Sequence, residues 1–423
     1  MVTDPEIQEY IQSVGQRLSA AAQNNNFRFT FFVIDSPSIN AFAIPGGYIG
    51  VHTGLILATR NESELAGVLG HEVAHVTQRH ISRAIFASKQ ESIISLATML
   101  GAVLLGAATG NGDVIAGGVL GSQSMSAQQQ INFTRDNEYE ADRVGIEFLS
   151  ASGFNPNGMP DFFETLARKS AGGSEAPEFL RTHPVTVNRI AETRARATML
   201  NFSSVTDSIS YSLTRARIRL LTSKTPEKAL DYFEAKLKDP DDPGFLGHEY
   251  GMALALYDLG RYREAKTILE RLMRTHEGVI HFHTGYAATQ AALGDKNGAL
   301  STLKQAITLF PRNVPLTIRY AELLAQDGQP KAAHKILLDL YNQVPPTPEQ
   351  VRQIALTANA AGDIAESHYY MAEYHIMSGS LMLASDQLVM ALQVEDLDSV
   401  QKARYESRLE QIQEYMPKRN KKR

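Results

Sequence analysis

No cysteine occurs among the 423 residues. Structural disulfides and thiolate-held metal sites are therefore excluded, and any metal must be bound by His, Asp and Glu. The absence is neutral about compartment, because a disulfide-free chain persists in either redox setting. An excess of positive charge is missing too: 41 Lys and Arg stand against 46 Asp and Glu, a net charge of −5. No general basic field points to nucleic acid. A glycine-rich phosphate loop is lacking, which disfavours nucleotide chemistry. No secretory leader opens the sequence, since Met1 is followed at once by Val2-Thr3-Asp4-Pro5.

What is present is ordinary for a globular protein: 43% apolar and 21% charged residues. The length exceeds one compact core, so two or more domains are expected. Residues 93–110 carry no charge and approach the minimum length of a membrane span. Ser95, Thr98, Thr109, Gly101 and Gly106 interrupt them, and the turn Asn111-Gly112-Asp113 leads into a second Gly/Ala-rich run ending at Gly121. The reading is a helical hairpin packed on protein, with peripheral membrane contact through 93–121 as the alternative.

The first half mixes element types. Residues 4–24 read as a helix and 27–34 as a strand. Residues 41–44 and 48–52 read as a hairpin around Pro45-Gly46-Gly47. Asn61 and Glu64 suggest a capping box that opens a helix through Val76. A second long helix is expected over 135–150, a third after Asn155-Pro156, a loop over 171–183, and a helix from there to about 200.

From about residue 210 the texture becomes wholly helical and periodic. Gly260, Gly294, Gly328 and Gly362 are 34 residues apart, and Ala265, Ala299 and Ala333 each follow a glycine by five. A 34-residue helix–turn–helix unit with a small residue in its second helix resembles the tetratricopeptide repeat. Gly379 and Ala384 repeat the offset after half a unit, so the helix between Ala365 and Met377 is expected to serve two repeats. A degenerate first unit is expected around Ala229. The basic tail, Lys418 to Arg423, reads as solvated.

His71-Glu72-Val73-Ala74-His75 carries the chemistry. Residues i and i+4 share a helix face, so both imidazoles can reach one metal ion, while Glu72 is placed to act on water as general base. A catalytic zinc needs a third protein ligand and an open position. Glu138 and Asp142, again i and i+4, are the candidates: one can bind metal while the other orients a ligating His. Glu140 faces away and is weaker. His183, before Pro184, is a candidate fourth ligand or a catalytic participant, and equally an ordinary loop residue. Arg189 is open to substrate contact or to capping a carboxylate. On an extrapolated helix His80 falls off the ligand face and reads as structural. The remaining histidines read as surface positions. Residues 46–52 are the candidate strand edge for pairing with extended substrates.

Taken in order, Asn40-Ala41-Phe42-Ala43-Ile44-Pro45-Gly46-Gly47, Thr53-Gly54-Leu55, Glu64 through His75, and Glu138-Tyr139-Glu140-Ala141-Asp142 resemble the zinc peptidase family of the CAAX-processing proteases and the mitochondrial and bacterial stress proteases. The resemblance implies one Zn²⁺ per chain, with Glu138 as third ligand beside His71 and His75 and with Asp142 supporting them from behind. Its branch with C-terminal tetratricopeptide repeats is periplasmic. That branch acts on unfolded or misassembled outer-membrane β-barrel proteins, with chaperone-like activity alongside the barrel assembly machinery.

The expected architecture is an α+β zincin-like metalloprotease domain over 1–205, mostly helical with a small sheet. An all-α tetratricopeptide-repeat solenoid over 210–415 and a basic tail over 416–423 follow. The competing expectation is a repeat-based binding scaffold with a quiescent peptidase site.

Overall fold

In a computed structural model of the protein, the described residues are 1–22, 27–87, 135–171, 176–200, 202 and 206–415. The expected hairpin over 93–121 and the tail over 418–423 lie outside them. Among the described residues, those up to 293 form one compact unit and those from 294 onward another.

In the first unit, helix α1 (Pro5–Ala21) starts where the Asp4 side chain accepts the Ile7 amide and Pro5 needs no donor. Its apolar stripe of Ile7, Ile11, Val14 and Leu18 is buried. The stripe packs on β1 (Thr30–Ile34) and on α3 (Glu62–Thr77). The sheet has the order β1-β3-β2, where β2 is Ala41–Ile44 and β3 is Tyr48–His52. The hairpin turn is present, with φ of +94° at Gly46 and +83° at Gly47, a left-handed backbone that favours glycine. A further pairing changes the edge. β3 pairs parallel with β1 as well as antiparallel with β2. Residues 46–52 therefore do not offer a free edge, because β3 is the middle strand; β2 is an outer one. The non-local β1–β3 pairing leaves no trace in turn residues.

A short helix α2 (Thr53–Ala58) leads to α3, where every residue from Glu62 to Val76 is buried. Its cap is half of the expected box. The Asn61 side chain accepts the Glu64 amide at 2.9 Å, but the Glu64 carboxylate accepts from the Arg60 backbone and side chain instead of Asn61. α3 ends at Thr77, and α4 (His80–Ala87) follows a two-residue break. α5 (Arg135–Ala151) crosses α3 where two glycines meet. A Cβ at Gly145 would lie 3.1 Å from the backbone of both Gly70 and His71. This close approach sets the metal-binding motif of one helix directly against the acidic motif of the other. α6 (Gly158–Ala171), the four-residue α7 (Phe179–Thr182) inside the expected loop, and α8 (Val187–Met199) complete the enclosure.

The remaining helices pair as expected for repeats. The first unit holds α9 (Ile209–Leu221), α10 (Pro226–Lys236), α11 (Phe245–Asp258), α12 (Tyr262–Thr275) and α13 (Ile280–Ala292). The second holds α14 (Lys296–Leu309), α15 (Val314–Gln326), α16 (Pro330–Tyr341), α17 (Pro348–Ala361), α18 (Ile364–Met377), α19 (Leu381–Leu392) and α20 (Ser399–Gln413). Gly260, Gly294, Gly328, Gly362 and Gly379 all have φ between +74° and +88°. Ala265, Ala299, Ala333 and Ala384 are fully buried. α18 packs on both α17 and α19. The repeat histidines are not uniformly at the surface: His281, His283 and His334 are buried. Helix periodicity gives a face but not what covers it. Among the described residues no helix is long and apolar enough to cross a membrane.

α9 belongs to the peptidase core as much as to the repeats. Tyr211 and Ile218 sit in the same apolar cluster as α1 and α3. The Glu62 carboxylate accepts from Tyr10 Oη, the Ser208 amide and Ser208 Oγ. Asp207 accepts the Glu62 amide at 2.9 Å, and Arg217 pairs with Asp4.

Candidate metal centre

His71, His75, Glu138 and His183 each present a donor atom, and these four atoms lie within 4.8 Å of one another, all in buried side chains. α3 supplies the two histidines of the motif, α5 supplies Glu138, and the C-cap of α7 supplies His183. His71 Nε2 is 3.0 Å from His75 Nε2 and 3.6 Å from Glu138 Oε2. His75 Nε2 is 3.4 Å from Glu138 Oε1. His183 Nδ1 is 3.3 Å from His71 Nε2 and 3.0 Å from Glu138 Oε1. Donors around a tetrahedral zinc with ordinary bond lengths are separated by about 3.3–3.6 Å, so the spacing and the N/O chemistry of the set fit such an ion.

Charge argues the same way. Glu72, Glu138 and Asp142 are buried, and Arg189 is the buried guanidinium among them. Three carboxylates facing one guanidinium leave a negative surplus that a protonated His71, or a divalent cation that displaces its proton, offsets. Burial works to raise the Glu138 pKa, but His183, His71 and His75 outweigh it and hold the group well below the usual carboxylate range. Burial opposes charge on His71, yet Asp142 and Glu138 outweigh it and hold the imidazole up at about 9. Burial dominates at His75 and pushes it well below its ordinary value.

Glu72 is in the same pocket but apart from the donor set. Neither of its oxygens meets a well-formed hydrogen-bond partner. The Ala43 backbone exerts only a weak pull toward the ionised form, and His183 Nε2 stands 3.6 Å from Oε1. Burial raises its pKa, with His183 and His71 pulling the other way. A carboxylate so placed is basic enough to take a proton and free enough to move it.

Behind the donors, Asp142 Oδ1 lies 3.0 Å from His71 Nδ1, close in distance though off the hydrogen-bond line. Arg189 forks onto Asp142, donating from Nε and Nη2 at 2.7 Å each. Its Nη1 donates to the Pro184 carbonyl and lies 2.8 Å from Glu138 Oε2. Of the two roles open to Arg189, this geometry is that of a carboxylate cap. His183 is stacked on Phe179, 4.7 Å between ring centroids.

His80 and Glu140, both outside the donor group, meet in a way that the spacing alone does not show. His80 Nδ1 lies 3.0 Å from His75 Nδ1, and His80 Nε2 lies 3.0 Å from Glu140 Oε2. His80 is off the donor set, and it comes to lie against the back of His75 because α3 stops and Arg79 turns the chain with φ +56°. No Gly or Pro marks that break. Glu140 does face away from the donors, and what it faces is His80.

Residues 5–197 match peptidase family M48, and residues 290–356 match the tetratricopeptide repeat. A putative β-barrel assembly-enhancing protease of Vibrio cholerae is 34% identical over 414 residues, covering 97% of this chain and 85% of the relative. The β-barrel assembly-enhancing protease of Escherichia coli is 32% identical over 418 residues, covering 98% and 84%. The mitochondrial metalloendopeptidase OMA1 of Schizosaccharomyces pombe is 30% identical over 181 residues, covering 43% of this chain and 50% of the relative. With a donor set suited to a metal ion and relatives spanning nearly its whole length, the chain belongs to peptidase family M48, as a metalloendopeptidase joined to tetratricopeptide repeats.

Proposed function

We propose that the chain is a periplasmic zinc endopeptidase that cleaves misassembled outer-membrane β-barrel proteins and assists the assembly of others. The four-donor group of His71, His75, Glu138 and His183 carries this reading, and the relatives' names supply the barrel-assembly context. In this reading residues 1–205 perform hydrolysis, and residues 210–415 hold protein segments or the barrel assembly machinery.

His71, His75 and Glu138 would hold the zinc ion. When bound, zinc polarises the scissile carbonyl and makes water easier to deprotonate near neutral pH. Glu72 takes the proton of the attacking water and returns it to the leaving amine. Asp142, fixed by Arg189, orients the His71 ring. The outer strand β2, whose Ala43 backbone faces Glu72, is the element on which an extended substrate would align.

His183 favours a second, compatible reading, in which the site rests quiescent while the repeats capture partners. Its Nδ1 stands among the donors, so it serves as a fourth ligand that must leave before substrate enters. Metal content and cleavage of an unfolded barrel protein test both readings. His71→Ala and Glu138→Ala should lose zinc, whereas Glu72→Gln should keep zinc and lose hydrolysis. His183→Ala should keep zinc and cleave faster, including itself. Turnover retained in Glu72→Gln overturns the mechanism, and abolished turnover in a folded, zinc-loaded His183→Ala overturns the latch.

A further inference from the structure

The two α3 histidines are supported differently. His71 has a carboxylate, Asp142, directly behind it. His75 has a second imidazole. His75 Nδ1 and His80 Nδ1 are 3.0 Å apart, and the far nitrogen of His80 is 3.0 Å from Glu140 Oε2. His80 is fully buried, while the Glu140 side chain is 41% exposed and has Arg83 Nη2 at 3.4 Å. A chain of side chains thus runs from the donor set to the surface.

The geometry points to His80 as the positioning residue for His75, relaying the negative charge of Glu140 to it. The inference rests on the reading of His75 as a metal ligand through Nε2. Given that, the tautomers follow. Nδ1 of His75 carries the proton and donates to Nδ1 of His80, and Nε2 of His80 then donates to Glu140. Each imidazole is neutral and each nitrogen has one use. A ligating imidazole held this way is fixed in orientation and made more basic, and losing such a partner typically weakens metal binding by about 10–100-fold.

A second observation supports the assignment. The chain reaches His80 through Arg79, which adopts φ +56°. Arg79 is itself exposed, so its side chain gives no reason for a left-handed backbone. A left-handed residue just past the C-cap is a common helix ending, and here it returns the chain under His75.

The test is zinc affinity by competition with a chromophoric chelator, in the full chain carrying Glu72→Gln to prevent self-cleavage. His80→Ala should weaken binding by about 10–100-fold. His80→Asn should recover part of the loss, because its side-chain oxygen occupies the place of Nδ1 and can accept from His75. Glu140→Gln should lose less than His80→Ala, since its oxygen still accepts while the charge is gone. Melting of the metal-free His80→Ala and His80→Asn proteins should be alike, which separates positioning from packing. If His80→Ala does not fold, the Asn and Gln variants decide the matter alone. Zinc affinity within twofold of the parent in His80→Asn and Glu140→Gln, with His80→Ala unfolded or equally tight, overturns the relay. His75→Ala is the control: if it retains zinc, the ligand reading has failed; if it loses zinc while His80→Ala binds like the parent, only the relay has failed.

Discussion

The peptidase core and the repeats bury their helices on different terms. α3 is enclosed on every side, so its polar residues survive only by satisfying one another and an ion. A repeat helix such as α12 buries Ala265, Leu269 and Leu272 along one face and leaves its charges in water. The first arrangement is a network in which each group depends on the next. The second is a series of similar contacts, each replaceable by something of like size. Single substitutions should therefore be severe in one region and graded in the other.

Removing Arg189 should have the largest effect. It leaves the buried Asp142 with His71 as its remaining ionic neighbour and takes one partner from Glu138, and stability should fall by about 3–5 kcal/mol. Urea unfolding at pH 7 measures this. Arg189→Lys should not restore stability, because an ammonium cannot make the two-pronged contact with Asp142. A loss under 1 kcal/mol would mean that the core is as forgiving as the repeats.

His281 is where the repeats behave like the core. Burial, with Arg217 assisting and Glu6 opposing, holds its pKa down at about 4, and among the described residues neither ring nitrogen has a hydrogen-bond partner. The unfolded chain binds its proton more readily. The neutral ring thus contributes fully above about pH 6.5, and stability is lost as pH falls toward 4, by up to about 3 kcal/mol. His281→Leu should flatten that part of the stability–pH curve relative to the parent. Parallel curves would show that His281 gains solvent or a partner.

The smallest effects contrast two glycines. Gly145→Ala forces backbone apart where α3 meets α5 and should cost about 1–3 kcal/mol, with weaker zinc binding as the donors separate. Gly294→Ala meets nothing within 4 Å but must hold φ at +88°. It should cost about 1 kcal/mol and leave zinc affinity unchanged. Equal zinc affinities in the two variants would remove the distinction.

Legibility in the sequence followed the range of the interaction that fixed each feature. The spacing of His71 and His75 and the 34-residue interval of the repeat glycines are local, and periodicity alone disclosed them. Glu138 and Asp142 could be paired by spacing but not told apart, because their roles depend on which one α5 turns toward α3. The middle position of β3 depends on pairing with β1, which no turn residue reports. The contact of His80 with His75 depends on a break at Arg79 that carries no glycine, and the burial of His281, expected at the surface, is created only by its tertiary neighbours.

Ser208 and Asp207 hydrogen-bond with Glu62, and Tyr211 Oη donates to the Thr59 carbonyl at 3.1 Å just before the catalytic helix; these bonds bear on how this chain can be inherited. A recombination event between residues 202 and 208 would look like a clean exchange of modules. It would instead take Asp207 and Ser208 from the first turn of the catalytic helix and leave Tyr10 as the remaining partner described for the Glu62 carboxylate. A shuffled chain would meet that deficit at the folding step, before any substrate was met.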